Sequence, residues 1–168
     1  MKKINNLKTV IKLSGDLRSR HQKIGLITGC FDILHAGHIG LFRFAKKHVD
    51  FLVVGLENDE TIRLSKGPGR PVHNFSQRSL LASEIQSIDL IFEIPIIVKF
   101  GSASQIKQQY VDMVGRIMPD FLITSPGADK YWPQKRDSLK PLGIKVLKYS
   151  QKESTSTSAV LNHIQKEI

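Results

Sequence analysis

The 168-residue sequence contains a single cysteine, Cys30. One thiol allows no internal disulfide, so a disulfide-stapled scaffold is excluded and the fold must rest on a hydrophobic core. Such usage fits a reducing, cytoplasmic setting. Tryptophan occurs once and aromatic residues make up only 7% of the chain. With no nucleic-acid-binding motif beside them, these few aromatics argue against a nucleic-acid-binding module. No apolar run is long enough to span a bilayer. The charged start Met1-Lys2-Lys3 is not followed by the apolar stretch of a signal peptide. Neither a membrane partner nor a leader is therefore expected. Acidic residues are the other scarcity: 15 Asp and Glu stand against 25 Lys and Arg, a net charge of +10. That balance suits a polyanionic partner, either phosphorylated small molecules or nucleic acid.

What remains is ordinary for a globular protein. Apolar residues make up 40% and charged residues 24%, enough for one domain with one core. No internal repeat is visible, and the longest low-complexity tract is the Ser/Thr run at 154–158. Residues 1–22 read as a polar lead-in with some helical character, and residues 23–168 as the domain itself. Apolar, β-branched runs predict strands at about 24–28, 50–56, 90–93, 121–124 and 145–149. Helices are expected over 37–48, from Asn74 to about Ile88, from Ser102 to about Met118, and from near Ser158. Two of these starts carry a capping box, Asn74 with Gln77 and Ser102 with Gln105. Strands separated by helix-length segments predict an α/β fold. Its expected form is a doubly wound, Rossmann-like parallel sheet of five strands with helices on both faces.

The most informative stretch is Thr28-Gly29-Cys30-Phe31-Asp32-Ile33-Leu34-His35-Ala36-Gly37-His38. It joins the first predicted strand to the first predicted helix. Two histidines at i and i+3 share one face at the helix start. Unpaired backbone N–H groups and the positive end of the dipole welcome an anion there. Gly37 lets a ligand approach the backbone closely. The arrangement suits a triphosphate. Doubly wound sheets bind ligands at the carboxyl ends of their strands. Three more polar segments collect at that edge: Glu57-Asn58-Asp59-Glu60 with the basic loop 66–71, Ser125-Pro126-Gly127-Ala128-Asp129, and Ser154-Thr155-Ser156-Thr157-Ser158. Each alone reads as an ordinary loop or cap.

From about residue 22 to 164 the chain resembles the cytidylyltransferase-like nucleotidyltransferase superfamily. Its members include the glycerol-phosphate cytidylyltransferases and the heptose-phosphate adenylyltransferases of lipopolysaccharide synthesis. The resemblance rests on the Gly-Cys-Phe-Asp turn with His-x-Gly-His and on Lys66-Gly67 followed by Arg70-Pro71. Arg78, Gly127-Ala128-Asp129 and Ser156-Thr157-Ser158-Ala159-Val160 extend it. Thr28 stands where the heptose enzymes carry Asn, and Gln151 where the glycerol-phosphate enzymes carry a phosphate-binding Arg.

The resemblance implies transfer of a nucleoside monophosphate from a triphosphate to a phosphorylated metabolite, with release of pyrophosphate. His35, His38 and Lys66 would be catalytic. Thr28, Gly29, Cys30, Phe31, His35, His38, Gly127, Asp129, Ser156, Thr157 and Ser158 would hold the nucleotide. Asp32, Lys46, Arg70 and Arg78 would meet the acceptor. Mg²⁺ is expected with the triphosphate, with no protein ligand assigned, and a homodimer is an open reading. The Lys66 to Pro71 loop points to ATP and a sugar phosphate. The alternative is CTP with glycerol 3-phosphate, phosphoethanolamine or phosphocholine. An aminoacyl-tRNA synthetase fragment shares His-x-Gly-His, but the chain leaves no room for an anticodon-binding domain. A basic nucleic-acid-binding module rests on net charge alone. Release of pyrophosphate separates the transferase from a binder.

Overall fold

A computed structural model describes residues 3–95 and 102–150. Six strands form one sheet: β1 (Ile4–Asn5), β2 (Ile24–Gly29), β3 (Phe51–Glu57), β4 (Leu90–Ile94), β5 (Phe121–Thr124) and β6 (Lys145–Lys148). Their order is β1-β4-β3-β2-β5-β6, and every pairing is parallel. Six helices connect them: α1 (Leu7–Ser19), α2 (Ala36–Lys46), α3 (Asp59–Lys66), α4 (Phe75–Ser83), α5 (Ala103–Ile117) and α6 (Trp132–Leu139). From β2 the chain moves one way to β3 and β4, then returns to lay β5 and β6 on the other side. The switch in winding falls at β2, between β3 and β5, where ligands bind in such sheets.

Side chains alternate across the sheet and fill two cores. Leu52, Val54 and Leu56 of β3 join Phe42 and Ala45 of α2 and Ala82 of α4. Val53 faces the other way, into a cluster with Val10 and Leu17 of α1 and Met113, Val114 and Ile117 of α5. Helices on both faces explain why β3 reads as an unbroken apolar run rather than an alternating one.

The sheet has six strands where the sequence predicts five. The extra strand is Ile4–Asn5, which pairs with Ile91 and Phe92 of β4. Two residues are too short to show a period, and its helix α1 carries only a narrow buried stripe of Val10, Ser14 and Leu17. The N-terminal segment is thus built into the same sheet and core. Helix α3 replaces what reads as loop. Its signal was present, because Asn58 caps it by accepting from the Thr61 N–H at 2.8 Å, but only Thr61 and Ile62 are buried. Helix α6 buries only Leu139, so no apolar period marks it. Helix α4 stops at Ser83, short of the expected Ile88. Both capping boxes form as expected.

Candidate active site

The carboxyl edge of β2 leads straight into the histidine turn. Phe31 takes a left-handed backbone conformation, φ 46°, which a non-glycine residue holds only when its surroundings fix it. Its ring is buried beneath His38, edge to face at 5.0 Å. His35 is the N-cap of α2 and makes no side-chain cap bond, so its imidazole is free for other work. The rings of His35 and His38 stack with centroids 3.7 Å apart. Burial lowers the pKa of both. For His38, burial, then His35, then Lys66 bring it to about 4. The pair is therefore neutral at pH 7, and each ring keeps one N–H to donate. Both Nδ1 atoms are buried without a partner.

Lys66, at the end of α3, folds back so that its Nζ donates to Cys30 Sγ at 2.9 Å. That contact brings the loop after β3 over the turn after β2. Asp32 is fully buried. Its Oδ1 accepts from the N–H groups of Val72 and His73 at 2.8 and 3.0 Å, and its Oδ2 lies 3.2 Å from Arg70 Nε. That ion pair is close but poorly aligned: Asp32 Oδ2 and Arg70 Nη1 are both buried without a hydrogen bond. Asp32, Arg70, Lys66, Cys30 and the two histidines thus share one corner of the fold.

Two expectations are corrected. Arg78 does not face a substrate. Its side chain is 0% exposed, and it donates to the carbonyls of His73, Cys30 and Glu57 and to Asp59 Oδ1 at 2.6 to 3.0 Å. With four bonds made inside the protein, it fastens the β2, β3 and 70s loops together. Lys46 lies at the opposite end of the sheet. Its Nζ donates to Asp50 O and Asp89 Oδ2, each at 2.6 Å, beside the start of β3. A helix running antiparallel to its strand carries its C-terminal lysine away from the carboxyl edge. Sequence spacing does not show this unless the helix axis is followed.

Across the switch point, Asp129 follows β5. Its Oδ2 accepts from Thr124 Oγ1 at 3.0 Å and from Lys135 Nζ at 2.8 Å, and its Oδ1 from the Tyr131 N–H at 3.0 Å. Thr28 Oγ1 and Tyr110 Oη lie 3.0 Å apart. Gly127 is exposed, with open space where a Cβ would stand. Burial raises the Glu57 carboxyl, opposed chiefly by Lys135 and then Lys66. Sequence reading missed Glu57, Tyr110 and Lys135 as individual site residues. Tyr110 and Lys135 sit on helix flanks and reach the site only through the tertiary fold. Ser156, Thr157 and Ser158 lie outside the described residues.

A doubly wound parallel sheet with a neutral histidine pair at the helix start beside its switch point is the framework of an α/β nucleotidyltransferase. The comparisons with known proteins agree. The cytidylyltransferase-like family matches residues 26–162, and the chain belongs to that family. It is 32% identical over 157 residues to the bifunctional protein HldE of Wolinella succinogenes, covering 94% of this chain and 30% of that protein. It is 37% identical over 112 residues to the bifunctional protein HldE of Paramagnetospirillum magneticum, covering 67% and 20%. The chain thus spans under a third of the length of these relatives. A solved lipopolysaccharide core biosynthesis protein from Thermoplasma volcanium superposes with a TM-score of 0.61 at 25% identity, covering 79% of this chain and 99% of that one. No helix among the described residues is long and apolar enough to cross a membrane.

Proposed function

We propose that this domain transfers the nucleoside monophosphate of ATP to a phosphorylated sugar and releases pyrophosphate. One observation carries the reading. Of the five buried side-chain polar atoms left without a hydrogen bond among the described residues, four sit at the carboxyl corner: His35 Nδ1, His38 Nδ1, Asp32 Oδ2 and Arg70 Nη1. Buried polar groups are otherwise almost always paired. A corner that keeps donors and acceptors open is set for a polar, charged ligand.

The chemistry needs charge management. The substrate phosphate attacks the α-phosphorus while pyrophosphate leaves, and both partners are anions that repel. Alignment and electrostatic stabilisation supply the acceleration. His35 and His38 would donate to the triphosphate as charge builds on the leaving group. Lys66 would exchange Cys30 for a phosphate oxygen. The backbone of Thr28 through Phe31 and the turn at Gly127 and Asp129 would seat the nucleoside, with Ser156, Thr157 and Ser158 proposed as further phosphate ligands. Arg70 would meet the acceptor phosphate with its guanidinium, while Asp32 holds it and the 72–73 backbone in place. Mg²⁺ would neutralise phosphate charge. The ion would come with the nucleotide and keep water and phosphate ligands; among the described residues no group of three or more His, Cys, Asp or Glu is placed to hold a metal.

The sugar-phosphate acceptor is supported by the Lys66 to Pro71 loop, which resembles that of the heptose-phosphate adenylyltransferases, and by the Thermoplasma neighbour. The test is pyrophosphate release from ATP and CTP with heptose 1-phosphate, glycerol 3-phosphate, phosphoethanolamine and phosphocholine. ATP with the sugar phosphate is the expected pair. A tenfold or greater kcat/KM preference for CTP, about 1.4 kcal/mol, overturns the adenylyl assignment. No release with any pair overturns the transferase.

A further inference from the structure

Lys135 is the cation at the switch point that this reaction scheme leaves unused. It lies on α6, outside the histidine turn and the Lys66 loop. Its side chain is 21% exposed. An ammonium carries three donors. Among the described residues, Lys135 Nζ makes one hydrogen bond, to Asp129 Oδ2 at 2.8 Å, and otherwise faces the Tyr110 ring at 5.2 Å. With a fifth of the side chain exposed, the other two donors are open to solvent and to a ligand. The contrast with Lys46 is direct, since that ammonium is met by both a carboxylate and a carbonyl.

The surroundings say what would meet it. Tyr110 stands against Thr28 on β2, and Asp129 against Thr124 on β5, so Lys135 is held where these two strands part. Glu57 ends β3 on the other side of β2 from these residues. Lys135 reaches this edge from α6 through Asp129, and Lys66 reaches it from α3 through Cys30.

We propose that Lys135 is a nucleotide-binding residue, donating to the nucleoside triphosphate from the β5 side of the cleft while Asp129 holds its third proton. The inference rests on the nucleotidyl-transfer reading and adds to it a cation that neither the histidine turn nor the basic loop contains. Asp129 orients the ammonium, the Tyr110 ring lies beside it, and its charge is matched to an anionic ligand.

Lysine footprinting of the unmodified protein tests this directly. With acetic anhydride as the amine reagent, Mg²⁺ complexes of ATP and CTP should slow acetylation of Lys135 and leave Lys46 unchanged. Calorimetry should show Lys135→Met weakening the tighter of the two nucleotides about tenfold or more, as expected for a lost bond to a charged group. Lys135→Arg, which keeps the positive charge, should lose less than Lys135→Met. The loss should persist in an Asp129→Asn background, which separates direct contact from an effect passed through Asp129. An unprotected Lys135 overturns the proposal, as does a loss that vanishes beside Asp129→Asn. Protection of Lys135 without any pyrophosphate release would sink the transfer reaction and leave this site standing. Pyrophosphate release with Lys135 unprotected would do the reverse.

Discussion

The two ends of the sheet carry the same kinds of side chain and use them differently. At the amino edge, Asp89 accepts from the Leu52 N–H and from Lys46, and Lys46 also donates to Asp50 O. At the carboxyl edge, carboxylate, guanidinium and imidazole atoms are buried without a hydrogen bond, although Asp32 and Arg70 still form an ion pair. The amino edge is closed: its polar groups satisfy one another and hold β3 and β4 in register. The carboxyl edge leaves such groups unmatched within the protein, where a polar ligand or water would meet them. The same contrast separates two arginines a few residues apart. Arg78 spends its guanidinium on three carbonyls and a carboxylate, whereas Arg70 keeps Nη1 open.

The largest expected effect breaks the open edge. On the proposed mechanism, His38→Ala would remove a donor to charge that develops only during transfer. Turnover should fall roughly 10²- to 10³-fold, the scale of one lost transition-state donor, with little change in the thermal midpoint. Wild-type pyrophosphate release by this variant would remove His38 from the chemistry. Next comes Arg78→Met, which should cost about 3 kcal/mol or more in urea unfolding. It leaves the carbonyls of Cys30, Glu57 and His73 without their donor and Asp59 without its cation. A loss under about 1 kcal/mol combined with a raised KM for the acceptor would return Arg78 to the substrate.

That pair of arginines also shows what a sequence can and cannot disclose. The strands were legible because buried parallel strands are apolar throughout, as in Phe51–Glu57, and the caps because Asn74 and Ser102 carry their partners three residues on. The histidine turn was legible because strand, turn and helix start are contiguous. Arg78 was not, because motif position cannot distinguish an arginine that faces a ligand from one that ties three loops from inside. Lys46 failed for a geometric reason, lying a full helix length from the edge where its chain segment begins. Tyr110 and Lys135 were invisible because they reach the cleft from α5 and α6, brought in by packing rather than by neighbours in the chain.

A smaller effect tests the closed edge. In the Lys46–Asp89 pair the side chains are 33% and 27% exposed, so solvent screens them and Lys46→Met should cost about 1 kcal/mol or less. Both nucleotide and acceptor KM should be unchanged. A KM rise of tenfold without loss of stability would mean that the amino edge contributes to the site after all.

The smallest effect concerns protons and follows from the neutral histidine pair. Free His38 titrates at about 4, well under the ordinary value near 6.5, because burial, His35 and Lys66 all disfavour its cation. Burial lowers His35 as well. A triphosphate placed beside these rings adds negative charge, and opposite charge favours the protonated form. Both pKa values should therefore rise on binding. At a pH between the free and bound values the complex then holds more protons than the free protein, so binding takes up protons and affinity tightens as pH falls. Calorimetry in two buffers of different ionisation enthalpy reads this directly, with nucleotide titration by itself corrected from a protein-free measurement of its Mg²⁺ complex. An uptake below one proton per site is expected, reduced in His38→Gln, which keeps a polar side chain that cannot titrate. Zero uptake, or the same uptake in the variant, would mean that the phosphates do not reach His38. The open corner would then serve some other ligand.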